Sequence, residues 1–357
     1  MTPPAFATVR PGMAPAIPGS DAPVSAGEWD AFVAAHPRAT LYHTWRWTAF
    51  AGAVFGFDVH RLVLRDAAGR ISGILPLVMQ SSPLFGKRLV SMPFFNYGGP
   101  LGSSDEFETA LISQAADLAA RLRVRVLEIR DQVARDGFAN RTDKVTVELA
   151  LPSTDELLAK ALGSKLRSQI RRADREEPET VTGGAELLGD FYPVFASTMR
   201  DLGTPVYPFH FFRRLFADTG QDASIVVIRL HGRPAAAAVL THFRDRTEIP
   251  WAASLHELRA TSVNMRLYRD CLTHAIAHGS KVFDFGRSTI DSGTHRFKLQ
   301  WGGRTRPLHW VYPLEQAELA PGPPGGGFKE QAQRVWSKLP LGVANRLGPL
   351  ISPGLPW

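Results

Sequence analysis

The sequence predicts an α/β fold made of two consecutive α/β units, each with a mixed, mostly antiparallel sheet. At 357 residues the chain is too long for one ordinary core and suits two domains. Hydrophobic residues make up 44% of the chain and charged residues 21%, as in a soluble globular protein. Helices, an antiparallel meander, a helix and a strand occur twice in the same order, which indicates duplication of one unit.

The first unit is predicted over residues 25–150, after a Pro-, Ala- and Gly-rich lead at 1–24 that we expect to be disordered. Helix-like spacing with many aromatic residues begins the unit. The stretch VHRLVLRDAAGRISGILPLVMQ predicts a hairpin, because two strand-like runs flank an Asp-Ala-Ala-Gly turn. An extended run at 88–95, the helical pattern EFETALISQAADLAARLR and the strand VRVLEIR complete the unit.

The second unit is predicted over residues 151–315. Its helices are ELLGDFYPVFASTMRDLG and FHFFRRLFADTG, and SIVVIRL, AAAAVLTHF and EIPWAASL follow as a meander. The long helix SVNMRLYRDCLTHAIAHG then leads to the strand KVFDFG, a short helix at 295–301 and a last strand, RPLHWVYPL. A Gly/Pro linker and a basic amphipathic segment follow at 316–357. That segment is expected either to contact a membrane or another protein, or to pack against the body.

Charge and cysteine content narrow the classes of function. The formal net charge of +7 favours anionic partners such as phosphates, nucleic acid or anionic lipid headgroups. The single cysteine, Cys271, excludes an intrachain disulfide, and no metal site is predicted from the scattered histidines. A P-loop, a GxSxG elbow and a GxGxxG fingerprint are also absent from the sequence. Without a signal-peptide pattern or a long apolar run, we expect a cytoplasmic protein.

The stretch LGSKLRSQIRRADRE at 162–176 is the first candidate for function. Lys165, Arg167 and Arg171 recur along one side and one end of a predicted helix. Since guanidinium groups bind phosphate oxygens bidentately, such a helix at a domain junction suits a phosphate or pyrophosphate. The alternative is a solvated basic face.

The stretch FDFGRSTIDSGTHRFKLQWGG at 283–303 is the second candidate. It begins as a strand and continues as a polar loop, at the sheet edge where α/β folds usually bind ligands. Asp284 is a candidate base or orienting group, with capping of the next turn as the alternative. Lys298 and Trp301 share a helix face, so a cation beside an aromatic surface would stabilise an oxyanion or bind a phosphate. Arg296 points to another side of that helix.

Several stretches resemble the Fem-type aminoacyltransferase family. They are LRSQIRRA, DFYPVFASTMRDLGTPVYP, EIPWAASL, NMRLYRD and FDFGRSTIDSGTHRFKLQWGG, and the resemblance covers residues 25 to 315. More narrowly, the chain resembles the FemAB-related proteins associated with PEP-CTERM/exosortase and exopolysaccharide loci. The resemblance implies two tandem GNAT-like acyltransferase domains, with the ligand in the cleft between and within them.

The resemblance also implies a reaction and roles for residues. In Fem ligases an amine attacks an aminoacyl-tRNA ester and forms an amide on a peptidoglycan precursor. At the matching positions, Lys298 would stabilise the transition state, and Lys165, Arg167 and Arg171 would bind the phosphates of the precursor. The chain departs from the family because it lacks the helical coiled-coil insertion of some Fem ligases. This departure weakens the case for a tRNA donor.

The acyl donor stays open at this point. The segment LRATSVNM, where a GNAT enzyme carries its Gly-rich pyrophosphate loop, contains no glycine. The candidates are an aminoacyl-tRNA, an acyl-CoA bound differently, or another activated acyl group. In each case the donor is a co-substrate, and no permanently bound cofactor is expected.

We therefore expect an acyl- or aminoacyltransferase that forms an amide on an amino-sugar or a cell-envelope/exopolysaccharide precursor. Its expected catalytic residues are Lys298, Asp284 and Arg287. The residues expected to bind substrate are Lys165, Arg167, Arg171, Tyr207, Trp251, Asn264, Ser288, Arg296 and Trp301. Expected partners are a phosphorylated glycan or lipid-linked precursor, a tRNA, and the inner membrane through the C-terminal segment. The alternatives are a non-catalytic scaffold that binds glycan or lipid phosphates, and nucleic-acid binding through the 162–176 helix.

Overall fold

The computed structural model describes residues 24–82, 86–313 and 327–355. The lead expected at 1–24, apart from its last residue, and the linker expected at 316–326 lie outside the described residues. Within those residues, no helix has the length and apolar character needed to cross a bilayer.

The elements of the first half include the predicted ones in their predicted order, together with three strands that were not predicted. They are α1 (Ala26–Ala35), α2 (Trp45–Ala53), β1 (Asp58–Arg65), β2 (Ile71–Ser82), β3 (Gly86–Val90), β4 (Leu101–Gly102), α3 (Asp105–Arg121), β5 (Val126–Asp131), β6 (Ala139–Arg141) and β7 (Lys144–Ala150). The predicted hairpin is confirmed: β1 and β2 pair antiparallel, and the side chain of Asp66 accepts hydrogen bonds from the backbone N–H of Ala68 and Arg70 in the turn. The run expected to stay extended to residue 95 ends at Val90, because Met92 and Phe94 adopt positive φ angles.

The second half begins with helices and a meander, as predicted. Its elements are α4 (Asp155–Ala161), α5 (Ser164–Asp174), β8 (Glu179–Gly183), α6 (Leu188–Asp201), α7 (Phe209–Thr219), β9 (Ala223–Leu230), β10 (Arg233–Phe243), β11 (Arg246–Ser254), α8 (Val263–Ala277), β12 (Val282–Asp284), β13 (Ser288–Thr289), α9 (Gly293–Leu299), β14 (Arg304–Pro307) and β15 (His309–Tyr312). The short helix begins earlier than predicted, because the Ser292 side chain accepts a hydrogen bond from the backbone N–H of His295 and caps it.

The two sheets exchange strands. The first has the order β1-β2-β3-β5-β15-β6, and the second has the order β13-β7-β12-β11-β10-β9-β8, with β14 on β7. The predicted last strand is therefore two strands, since β14 pairs in the second sheet and β15 crosses to β5 in the first. The predicted division at residues 150 and 151 separates β7 from the sheet in which it pairs.

Antiparallel pairs dominate both sheets, and the parallel pairs are β3 with β5 and β11 with β12. The predicted α/β class with two mixed, mostly antiparallel sheets is confirmed. One face of the second sheet packs with α6, α7 and aromatic residues of the first unit in a shared core. The opposite face packs against α5 and α8. The shared core fixes the two units against each other, and with them any site at their junction.

Two C-terminal helices, α10 (Gly327–Trp336) and α11 (Leu341–Ile351), lie on the body of the protein. α11 buries Ala344 and Gly348, and a Cβ on Gly348 would come within 2.9 Å of the backbone nitrogen of Val206. The Arg200 side chain donates a hydrogen bond to the backbone oxygen of Leu339 at 3.2 Å. The segment packs against the body, and its contact with a membrane or another protein stays a prediction.

Three histidines meet where β10 approaches the last turn of α8. The Oγ of Ser224 lies 2.8 Å from Nε2 of His242 and 3.0 Å from Nε2 of His274, and the ring of His278 stacks on His242 at 4.0 Å. Burial, with smaller effects from the two other histidines, lowers the pKa of His242 to about 3. His242 is therefore neutral in the folded protein at neutral pH.

This cluster predicts a loss of stability in mild acid. His242 has its ordinary pKa of 6.5 when unfolded, so between pH 6.5 and pH 3 the unfolded chain binds the extra proton and is favoured. From pH 7 to pH 5 this histidine is expected to remove about 2 kcal/mol of the free energy of unfolding. Denaturant unfolding of wild type and His242→Gln at both pH values measures it. An equal pH-dependent loss in the two proteins would contradict the assignment.

Candidate functional site

Three carboxylates stand side by side on the face of the second sheet that looks toward the first unit. Glu248 on β11 is in register with Asp284 on β12, and Asp284 is in register with Glu148 on β7. Their strand neighbours Ile249 and Phe283 point to the opposite face and enter the core beneath α8. Because side chains alternate along a strand, the three carboxylates share one face.

Asp284 is fully buried at the end of β12. Its carboxylate accepts hydrogen bonds from the Tyr97 hydroxyl at 2.5 Å, from the Thr146 hydroxyl, and from the backbone N–H of Gly286 at 2.8 Å. Arg246 is 3.6 Å away. Asp284 thus both caps the following turn and joins the two units through its hydrogen bonds.

Gly286 follows as the residue that lets the chain turn at this point. It has a φ of +69°, and a Cβ there would come within 2.9 Å of the backbone oxygen of Ile249. Any other residue would meet both backbone strain and a clash with β11.

Glu248 is the main residue that sequence reasoning missed. It accepts hydrogen bonds from the Tyr42 hydroxyl and the Asn96 amide, each at 2.6 Å, and is 5% exposed. Burial, reinforced by the charge of Asp284, raises its pKa to about 8. The only signal in the sequence is a glutamate inside the strand-like run EIPWAASL, and its partners come from the first unit.

A cavity of about 170 Å³ leads to this carboxyl group. Tyr42, Tyr97, Arg246 and Glu248 are among its lining residues, so both units contribute to its wall. A small polar group, such as an amine, would meet the carboxyl of Glu248 at the end of this cavity.

Lys298 lies on α9 and is buried, with 4% of its surface exposed. Its ammonium group donates hydrogen bonds to the backbone oxygens of Gly286 at 2.8 Å and Arg287 at 2.9 Å. Burial lowers its pKa to about 8, an effect that Asp284 opposes and Arg287 reinforces. Since an ammonium has three donors, one remains for an oxyanion.

Trp301 does not form the aromatic surface expected beside Lys298. It packs in the core under α8, with its ring 6.1 Å from that of Tyr268 and 6.4 Å from that of Phe297. Lys298 and Trp301 do not share a helix face as predicted, because α9 ends at Leu299, two residues before this tryptophan.

The predicted basic helix, α5, does not lie beside Lys298 or Asp284. Lys165, Arg167 and Arg171 are exposed on α5, which packs against α8 on the opposite face of the second sheet from Asp284. There, Arg167 and Arg171 border a separate hollow of about 210 Å³ together with Arg269. The structure therefore does not bring these three residues together with Lys298.

Two other expected binding residues are also remote from the carboxylate face. Asn264 is in the first turn of α8, on the other side of the sheet. Arg296 is exposed and donates a hydrogen bond to the backbone oxygen of Asp291 at 2.6 Å.

Tyr207 and Trp251 belong to the core shared by the two units. The ring of Tyr207 stacks on Phe211 at 4.6 Å, and the ring of Trp251 lies 5.6 Å from Phe211. Ser288 is buried on β13, next to Arg287, which is partly exposed at the junction of the units. Of the expected site residues, the structure thus gathers Asp284, Arg287, Ser288 and Lys298 in one place.

The start of α8 does not provide the backbone cradle of a pyrophosphate loop. The N–H of Val263 already faces the Thr261 hydroxyl at 3.3 Å, and the N–H of Met265 donates to the backbone oxygen of Ser262 at 2.8 Å. Two of the first three helical amides are therefore occupied. The residues present do not fit a coenzyme A pyrophosphate bound by helix amides.

Comparison with known proteins identifies the fold. Residues 162–299 match the family described as Acetyltransferase (GNAT) domain. No curated protein sequence matches the chain.

Solved structures extend the likeness to both units. The crystal structure of FemX is similar with a TM-score of 0.65 at 16% identity, over 84% of this chain and 98% of that chain. The C-terminal domain (DUF2156) of a protein designated lysylphosphatidylglycerol synthetase from Agrobacterium fabrum gives 0.56 at 12% identity, over 83% and 92%. L-PGS from Bacillus licheniformis gives 0.54 at 13% identity, over 88% and 98%. The fold of the whole described chain is thus that of these structures, and its GNAT domain match lies within the second predicted unit.

Proposed function

We propose that this protein transfers an acyl or aminoacyl group to an amine of an amino-sugar or a cell-envelope/exopolysaccharide precursor. One observation carries the proposal. A buried ammonium, Lys298, and a buried carboxyl, Glu248, both have a pKa moved to about 8, and Asp284 is electrostatically coupled to each of them. Opposite shifts of this kind, in a carboxyl group that lines a cavity and in a buried ammonium that this carboxyl influences through its charge, are typical of an acid–base pair.

The residues support a simple sequence of steps. Glu248, in its ionised form, takes a proton from the incoming ammonium of the acceptor. The free amine attacks the acyl carbon, and the remaining N–H of Lys298 donates to the oxygen that becomes negative. The bond from the acyl carbon to the leaving group then breaks, and the leaving group takes the proton that the attacking nitrogen gives up as the amide forms. Asp284 holds Tyr97 and the turn at Gly286 in place throughout.

The donor is proposed as an activated acyl ester or thioester, with aminoacyl-tRNA and acyl-CoA as the two sources. The GNAT match supports an acyl-CoA, whereas the FemX likeness and the occupied amides of α8 favour an aminoacyl donor. The name of the Agrobacterium relative refers to a lysyl-modified phospholipid, which supports including lipid-linked acceptors.

Incubating the protein with candidate acceptors and either aminoacyl-tRNA or acyl-CoA pools tests this proposal. A mass increase of one acyl or aminoacyl group on an acceptor is expected. Tight binding of a phosphorylated glycan with no mass change in any pool would favour the non-catalytic scaffold. Retention of tRNA that Lys165→Glu and Arg171→Glu abolish would favour the nucleic-acid alternative.

The C-terminal helices carry a second part of the proposal, contact with an anionic membrane surface. α11 buries its small residues and exposes Val343, Leu347 and Leu350, which recur on one side of the helix. A helix that serves only to pack on the body would be expected to bury its large apolar side chains and to expose its small ones. Residues 327–355 contain four Lys or Arg and one Glu, a net charge of +3. This apolar side with a cationic border fits an anionic lipid surface.

Vesicle sedimentation tests the membrane contact. Wild type is expected to bind vesicles containing phosphatidylglycerol more strongly than vesicles of phosphatidylcholine alone. Leu350→Asp, at a side chain that is 79% exposed, is expected to weaken binding by about tenfold without unfolding the protein. Leu157→Asp, at an equally apolar exposed position on α4, is the matched control. A dimer that Leu350→Asp dissociates would show instead that a second copy of the chain covers this side.

A further inference from the structure

The guanidinium group of Arg287 lies at the junction of the two units without a hydrogen-bond or ion-pair partner among the described residues. Among the described residues, its side chain makes no hydrogen bond or ion pair, and its Nη1 is buried. Its backbone is nevertheless fixed, because the backbone oxygen of Arg287 accepts a hydrogen bond from the ammonium of Lys298 at 2.9 Å. The backbone of Arg287 is therefore held in place next to Lys298, at the proposed reaction centre.

The neighbours of this side chain are also cationic. The guanidinium carbons of Arg287 and Arg130 lie 4.9 Å and 4.5 Å from the ring centroid of Trp310, and that of Arg141 lies 5.9 Å from it. Trp310 on β15 thus holds three guanidinium groups in one place. Burial and the charge of Arg130 lower the pKa of Arg287 to about 10.

The nearby carboxylates of Glu128 and Asp143 form ion pairs with other arginines. Glu128 is bound by Arg130 at 2.9 Å, by Arg88 at 3.1 Å and by the Tyr312 hydroxyl at 3.0 Å. Arg141 is paired with Asp143. Arg287 therefore has no direct ion-pair partner among the described residues, and the charge of Glu128 stabilises its ionised form only from a distance.

An unpaired guanidinium beside like charges is unfavourable, because it gives up hydration and gains no counter-ion. Such an arrangement is expected where a ligand supplies the missing charge. Two more groups at this place have no partner among the described residues, the hydroxyl of Ser288 and the indole N–H of Trp310. The guanidinium itself is a flat cation that can donate two hydrogen bonds to one anion, which matches a planar or tetrahedral oxyanion.

We propose that Arg287, supported by Trp310, binds an anionic group, carboxylate or phosphate, of the molecule that reacts at Lys298 and Glu248. This inference rests on the proposed function for the identity of that molecule, but not for the binding of the anion. It also assigns Arg287 to substrate recognition rather than to the chemical step. The anion would lie within the reach of one arginine side chain from the ammonium of Lys298. The substrate must therefore carry its charge close to the reacting amine or ester.

Thermal unfolding with defined anions tests the site. Sodium pyrophosphate represents the phosphate group of a nucleotide or lipid-linked precursor, and sodium glucuronate represents a sugar carboxylate, each against sodium chloride of equal ionic strength. At least one of the two is expected to raise the melting temperature of the wild type. Arg287→Met is expected to bind that anion about tenfold more weakly or worse, because the charge-assisted hydrogen bonds are gone. Arg233→Gln, at the exposed first residue of β10, is the matched control.

The outcomes separate this inference from the proposed function. Stabilisation by pyrophosphate alone assigns a phosphate, and stabilisation by glucuronate alone assigns a carboxylate. Equal stabilisation of wild type and Arg287→Met shows an adventitious ion only and overturns the inference. Anion binding without any acyl transfer would leave this site standing and refute the proposed function. Acyl transfer with an unchanged KM in Arg287→Met would support the proposed function and refute the anion site at Arg287.

Discussion

Replacing Lys298 by methionine is expected to lower the rate of acyl transfer by about 100- to 1,000-fold. The loss follows because the ammonium is the buried donor beside Asp284 and retains one N–H after binding two backbone oxygens. Methionine has a similar length and is apolar, so it fills the buried space while removing the charge. Single-turnover transfer followed by mass spectrometry measures the effect.

The folded state should persist in Lys298→Met. The backbone oxygens of Gly286 and Arg287 lose their donor, which costs about 1–3 kcal/mol, but removing a buried charge offsets part of this. Lys281→Met, at an exposed side chain near the start of β12, is the control and should behave as wild type. Transfer at the wild-type rate by a folded Lys298→Met protein would remove this lysine from the mechanism.

A bell-shaped dependence of kcat/KM on pH, with its maximum near pH 8, is the second expected result. Glu248 must be ionised to take a proton, so activity should rise with pH until its raised pKa of about 8 is passed. Lys298 must stay protonated, so activity should fall once the pH exceeds its lowered pKa of about 8. The active combination of protonation states is therefore populated in a narrow range.

Glu248→Gln separates the two limbs of this profile. The variant should lose the rise on the acidic side and about 100- to 10,000-fold in rate, and it should retain the fall on the alkaline side. Glu148→Gln, at the corresponding register position on β7 but paired with Arg246 and Arg306, should retain the acidic limb. An acidic limb unchanged in Glu248→Gln would assign it to another group.

Local patterns in the sequence predicted the elements well, and long-range contacts account for what they missed. The hairpin at Asp66 and the helix α3 each depend on neighbours within one turn or one strand, and so does the strand–loop–helix order around Asp284 and Lys298. Glu248 escaped notice because its partners, Tyr42 and Asn96, are more than 150 residues away and belong to the other unit. No periodicity within a short window contains that information.

Two predictions placed an element at the wrong position in the fold, and both errors have a similar cause. The basic residues of α5 were correctly expected on a helix, but its position on the far face of the second sheet depends on how α8 packs. The strand around Trp310 was expected to finish the second sheet. Pro307, which has no backbone N–H, ends β14, and the chain crosses to the first sheet within one residue, Leu308.

The exchange of β7 and β15 has a consequence for synthesis on the ribosome. When the first half has emerged, β6 lacks its partner and one edge of β5 is open, because both pair with residues 309–312. An open edge of this kind is a site for wrong pairing with other nascent chains. The first half is therefore expected to remain incomplete until nearly the whole protein has been translated. Neither half should yield a stable fragment when it is expressed alone.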